Sequence, residues 1–140
     1  MAASLPLVRL KTRSQFLKIA AKGRKFVRPT LVLQAMALPD QDQARAKRLA
    51  RVTQHQDCAF VGFTASKKVG KAVDRNRAKR RLSALAREVL PSRVPSGWGF
   101  VIIARAAAAT TSYDQMRTEL IQAVTHVREK RYHRHEAVSS

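Results

Sequence analysis

Between residues 75 and 90 the apolar side chains Ala78, Leu82, Leu85, Ala86, Val89 and Leu90 recur at i, i+4, i+7, i+8, i+11 and i+12. That spacing is the stripe of one helical face, and Pro91 ends it. Tyr113, Met116, Leu120, Ala123, Val124 and Val127 predict a second amphipathic helix to about 128, opened by a Ser112/Gln115 capping box. A shorter stripe of Phe16, Ile19 and Ala20 follows a Thr12/Gln15 box and stops at Gly23, predicting a helix over 13–22. Residues 31–38 and 58–65 read as strands, although the first also fits a buried helical segment. Residues 98–105, WGFVIIAR, form a continuous apolar run typical of a central strand. A short strand at 24–28 can precede them.

Polar, apolar-poor residues 39–57 predict an extended, flexible loop with one helical turn near Ala44 to Leu49. The Pro, Ser and Gly of 91–97 predict another loop, and the polar tail 129–140 a flexible end. The expected fold is a single α+β domain over 1–140, an α/β sandwich in the order αβββαβα with an ordered core of about 9–128. Within it, Val61, Phe63 and Ala65 point to one face of their strand, and Phe60, Gly62 and Thr64 to the other. Val32, Gln34 and Met36 share a face polar enough to line a cleft for an extended single strand.

Charge changes the picture of the central helix. Between Lys67 and Arg87 stand nine Lys or Arg, with Asp74 as the only acid. At about 100° per residue, Arg77, Arg80, Arg81 and Arg87 project opposite the apolar stripe, while Arg75 and Lys79 flank it. A solvated helix face normally mixes signs, and this one does not. The whole chain of 140 residues carries a net charge of +19, and residues 1–39 hold eight cations and no acid. Such a chain repels itself and calls for a polyanionic partner.

Chemistry is conspicuous by what is missing. The nine carboxylates are scattered, with no pair spaced for acid and base roles. Lys67, Lys68, Gly70 and Lys71 make a basic turn without the full phosphate-loop pattern. His133 and His135 form only a terminal HxH, and the lone Cys58 reads as a buried small hydrophobe. No apolar run approaches the length of a membrane span, and no signal peptide is recognisable. A binder working in a reducing cytoplasm is the expectation, with no small-molecule substrate and no metal site of its own. Phe16 admits two readings, a core side chain or a platform on which a base stacks.

The stretch VGFTASKKVGKAVDRNRAKRRL, with RLKTRSQFLKIAAKG before it and FVIIARAAAA and TSYDQM after it, resembles the protein subunit of bacterial ribonuclease P. The resemblance runs from about Arg9 to Val127, and its most specific part is Arg75-Asn76-Arg77 with Lys79, Arg80 and Arg81. It implies a left-handed crossover that contains the basic helix. It also implies a ribonucleoprotein whose RNA, holding magnesium ions, hydrolyses precursor tRNA at its mature 5′ end. The protein would bind that RNA and the 5′ leader, widening substrate use and lowering the magnesium requirement. Carried onto this chain, Lys67, Lys68, Lys71, Arg75, Asn76, Arg77, Lys79, Arg80 and Arg81 would contact the RNA. Phe16 would belong to the leader cleft, together with Gln34 and Thr64. Ala20 and Gln34 stand where the family's pattern has further aromatics, so hydrogen bonding by Gln34 would replace stacking there.

Three rivals remain at this level. A ribosomal or ribosome-assembly protein is also small, basic and α+β. A DNA binder would favour duplex and need no cleft, and a self-sufficient nuclease would need the carboxylates or metal ligands that are absent.

Overall fold

In the computed structural model, which describes the backbone of residues 4–139 and the side chains of 4–128, nine elements follow one another. They are β1 (Leu7–Arg9), α1 (Arg13–Lys22), β2 (Arg24–Val27), β3 (Leu31–Ala37), α2 (Asp40–Leu49), β4 (Ala59–Ala65), α3 (Ala72–Val89), β5 (Trp98–Ala104) and α4 (Tyr113–Ser139). Short 3-10 turns at Lys67–Val69 and Ala106–Ala109 join the last of them. The strands make one mixed sheet in the order β1-β4-β5-β3-β2. β5 lies at its centre, parallel to β4 and antiparallel to β3, as its unbroken apolar run predicts. α4 is helical past the expected end near 128. The flexible tail expected at 129–140 and the His133/His135 pair lie outside the fully described residues.

Alternation along the strands sorts the core into two layers. Leu31, Leu33, Ala35, Val61, Phe63, Phe100 and Ile102 face α3 and α4, whose stripe residues Leu82, Leu85, Val89, Leu120 and Val124 are all buried against them. Val8, Phe60 and Val101 face α1 and α2 through Ile19 and Ala46. Each large aliphatic side chain buried this way contributes about 1.5–3 kcal/mol. α1 begins where its capping box predicts. Thr12 Oγ1 accepts the Gln15 N–H at 3.4 Å, and Gln15 Oε1 accepts the Thr12 N–H at 3.3 Å.

The hand of the β4–α3–β5 connection follows from the pleat. Even-numbered peptide groups of β4 and its flanks point to β5: Ser66 N–H donates to Ala104 O, and Gly97 N–H to Cys58 O. Leu10 N–H donates to Val61 O on the opposite edge. The Phe60 side chain lies on the α1 face, and Val61 and Phe63 on the α3 face. For L-residues this puts β5 to the left of β4, seen from α3 with both strands running upward. The crossover is therefore left-handed, against the usual rule.

Three expectations change. Residues 40–49 form a full helix instead of a loop with one turn. Asp40 and Asp42 in its first turn and Lys47 and Arg48 in its last suit the helix dipole. Lys18 Nζ lies 2.5 Å from Asp42, which ties α2 to α1. Only Ala46 of α2 is buried, so no apolar stripe announced it. β1 was not expected, because three residues are too few for a pattern; it exists by pairing parallel to β4. α3 starts at Ala72, nearly a turn before the expected start at about 75 and six residues before Ala78, the first apolar residue of its stripe.

Candidate nucleic-acid interface

After β4 the chain turns sharply into α3. Val69 is buried and anchors the turn, while Lys67, Lys68 and Lys71 stand exposed around it. Gly70 has φ 135°, a left-handed conformation that a side chain strains. Asp74, the lone acid of the segment, accepts the Lys71 backbone N–H at 3.2 Å and so caps the helix start. Arg75 donates back to Gly70 O at 3.1 Å and braces the turn. The acid and one of the arginines are thus engaged in local structure, and the lysines are presented to solvent.

On α3 itself Arg77, Arg80 and Arg87 are exposed as the periodicity predicts, Asn76 is exposed beside them, and Lys79 is half-buried at the edge of the stripe. Arg81 is the exception. It is half-buried, and its guanidinium donates to Ala108 O at 2.5 Å and Thr111 O at 2.6 Å. It closes the end of the Ala106–Ala109 turn and does not project opposite the stripe. The fold also adds a residue that the helix pattern missed. β1 brings Arg9 beside α3, with its guanidinium 4.8 Å from the centre of the Phe63 ring. Arg9, Phe63, Asn76, Lys79, Arg80 and Ser83 line a cavity of 310 Å³ that contains no carboxylate. Three cations converge there from two elements far apart in sequence, an arrangement suited to a phosphate group.

The other face of the sheet carries the residues expected to line a cleft. The Phe16 ring rests on Gly62, where any side chain would overlap it. Gln34 is registered with Val101 and Val101 with Gly62, while Thr64 is registered with Ile103 and Ile103 with Val32. Phe16, Gln34 and Thr64 therefore share one sheet face, each half-buried, with Val32 and Ile103 between them. Exposed Lys25, registered with Gln34 on the edge strand, adds a cation to this face. Phe16 is both packed and exposed, so its two readings are compatible. This set of residues ends at Thr64, and the basic turn begins three residues later at Lys67, so the two surfaces meet at one end of the sheet.

Cys58 is 1% exposed, and burial foremost pushes its thiol pKa up, away from a reactive thiolate. Among the described residues no three His, Cys, Asp or Glu side chains group to hold a metal, and no helix is long and apolar enough to cross a membrane.

Residues 6–128 match the sequence model of the family described as Ribonuclease P. The chain is 39% identical over 127 residues to the ribonuclease P protein component of Paramagnetospirillum magneticum, covering 91% of this chain and 86% of that one. It is 38% identical to the component of Ruegeria pomeroyi, covering 89% of each. The RNase P protein of Thermotoga maritima shares the fold, with a TM-score of 0.63 at 21% identity over 85% of this chain and 96% of that one. The Staphylococcus aureus RNase P protein does so at a TM-score of 0.59 and 22% identity, over 87% and 93%.

Proposed function

The chain belongs to the ribonuclease P protein family, and from that membership we propose how its two surfaces serve the processing of tRNA 5′ ends. It is the protein component of an endoribonuclease whose partner is the ribonuclease P RNA; the ribosomal alternative has no such support. In our reading the RNA is the catalyst. Lys67, Lys68, Lys71, Asn76, Arg77, Lys79 and Arg80 bind it, with Arg9 completing the cavity under α3. Arg75 and Arg81 support that surface by holding the turns around it. The 5′ leader of precursor tRNA lies along the Phe16, Gln34 and Thr64 face. Magnesium suits the oxygen ligands of the RNA far better than this cationic surface, and in our reading the RNA holds it. The work takes place in the cytoplasm.

The observation that carries this reading is the carboxylate-free cavity of Arg9, Asn76, Lys79 and Arg80. Its three cations and one amide suit it to a phosphate, and no carboxylate lines it. Protein alone is expected to leave precursor tRNA intact. Added to its RNA, it should stimulate leader removal most when magnesium is scarce, because its +19 charge offsets RNA–RNA repulsion otherwise screened by cations. Cleavage by the protein without RNA would overturn the assignment.

Neighbouring arginines on α3 are expected to behave differently. Arg80→Ala should weaken RNA binding and flatten its salt dependence while leaving the melting midpoint in place. Arg81→Ala should lower stability by about 2 kcal/mol through two lost charge-assisted hydrogen bonds. Titrations at several salt concentrations beside denaturant melts separate the two. Unchanged affinity and slope for Arg80→Ala would move the contact off this face.

A further inference from the structure

β2 is an edge strand, three positions from β4 in the sheet. Between it and α4 opens a groove of 390 Å³ lined by Phe26, Arg28, Ile121, Gln122, Thr125 and His126. Phe26 is registered with Leu33 and so lies on the sheet face opposite Phe16. The groove uses neither the α3 cavity nor the leader cleft.

Its chemistry is specific in three respects. The rings of Phe26 and His126 stack on each other at 4.0 Å between centres and 28° between planes, so a further ring can join them only on an outer face of the pair, a half-buried platform. The Arg28 guanidinium lies 5.8 Å from the Phe26 ring centre, and its Nε–H has no acceptor among the described residues. Gln122 and Thr125, one turn apart on α4, supply amide and hydroxyl groups at the wall, and no carboxylate lines the groove. A flat platform, a guanidinium and neutral polar edges match the π-face, phosphate and hydrogen-bonding edge of a nucleotide. An acidic peptide would satisfy the charge and leave the platform unused.

We propose that this groove binds one unpaired nucleotide of an RNA strand, with the base extending the Phe26–His126 stack on its outer face and its phosphate on Arg28. It is a third RNA contact, beyond the two surfaces assigned above. Ring resonances of His126 and Phe26 in the full chain report on it directly during titration with a single-stranded pentanucleotide RNA. They should shift saturably, and should still do so in Arg80→Ala. Phe26→Leu retains apolar bulk against the core and should weaken binding read at His126 by about 5- to 150-fold, the range of a lost base stack. Unmoved His126 signals while α3 amides shift would overturn the nucleotide pocket and leave the proposed function standing. Equal shifts with a pentaglutamate peptide would also overturn it, since the groove would then read charge alone.

Discussion

Glu119→Leu is expected to destabilise the fold by about 2–4 kcal/mol, with buried donors of Thr30 left unpaired. Glu119 is 1% exposed on α4, and its Oε1 accepts the Thr30 N–H at 2.9 Å and the Thr30 hydroxyl at 2.7 Å. Its Oε2 accepts from Gln115 Nε2 at 3.1 Å. The carboxylate pins the β2–β3 turn to the last helix. Burial by itself pushes its pKa up, but the Thr30 and Gln115 hydrogen bonds and the nearby Arg28 outweigh it and hold the pKa below the ordinary value. A folded pKa below the unfolded one means stability that is fully present above the unfolded value, about 4.3 for Glu, and is lost as pH falls through the folded value. The gap in stability between wild type and Glu119→Gln should therefore be widest near neutrality and shrink in acid. Denaturant melts at neutral pH and at two acid pH values measure it; a gap independent of pH would remove the carboxylate's charge from the account.

Phe16→Ala is expected to cost about 1–3 kcal/mol in binding precursor tRNA to the holoenzyme, the value of one base stack. Mature tRNA, which has no leader, should bind almost as before. The ring is only half-buried, so the fold should lose less than the roughly 3–5 kcal/mol of a fully enclosed Phe. Gly62→Ala offers a complementary test, because its methyl group would lift the same ring off the sheet without removing it. It should reproduce the selective loss for precursor tRNA. Equal weakening of both tRNA forms, with a lowered melting midpoint, would make Phe16 purely structural. Leader recognition would then fall to Gln34, Thr64 and Lys25.

Local pattern alone determined a good deal of this protein. The stripe from Ala78 to Leu90, the capping pairs Thr12/Gln15 and Ser112/Gln115, and the apolar run of β5 each carry their signal within a few turns of chain, and each element formed where that signal lay. The basic face of Arg77, Arg80 and Arg87 was legible for the same reason, since charge without countercharge on one helical face is a local fact, whereas the Arg75-Asn76-Arg77 motif was legible through its resemblance to a family. Tertiary structure decided whatever depends on partners remote in sequence. β1 has three residues and exists only through β4, and α2 buries a single alanine, so neither had a period to read. Arg81 looks like its neighbour Arg80 until the Ala108 carbonyl, 27 positions away, claims it. Arg9 joins the α3 cavity because the sheet places β1 beside β4, and Glu119 meets Thr30 across 89 positions. The hand of the crossover needed both the direction of β4's peptide groups and the face on which α3 packs. Periodicity reports how a residue relates to its own helix or strand; which groups remain free to meet RNA is settled by the long-range contacts that engage the others.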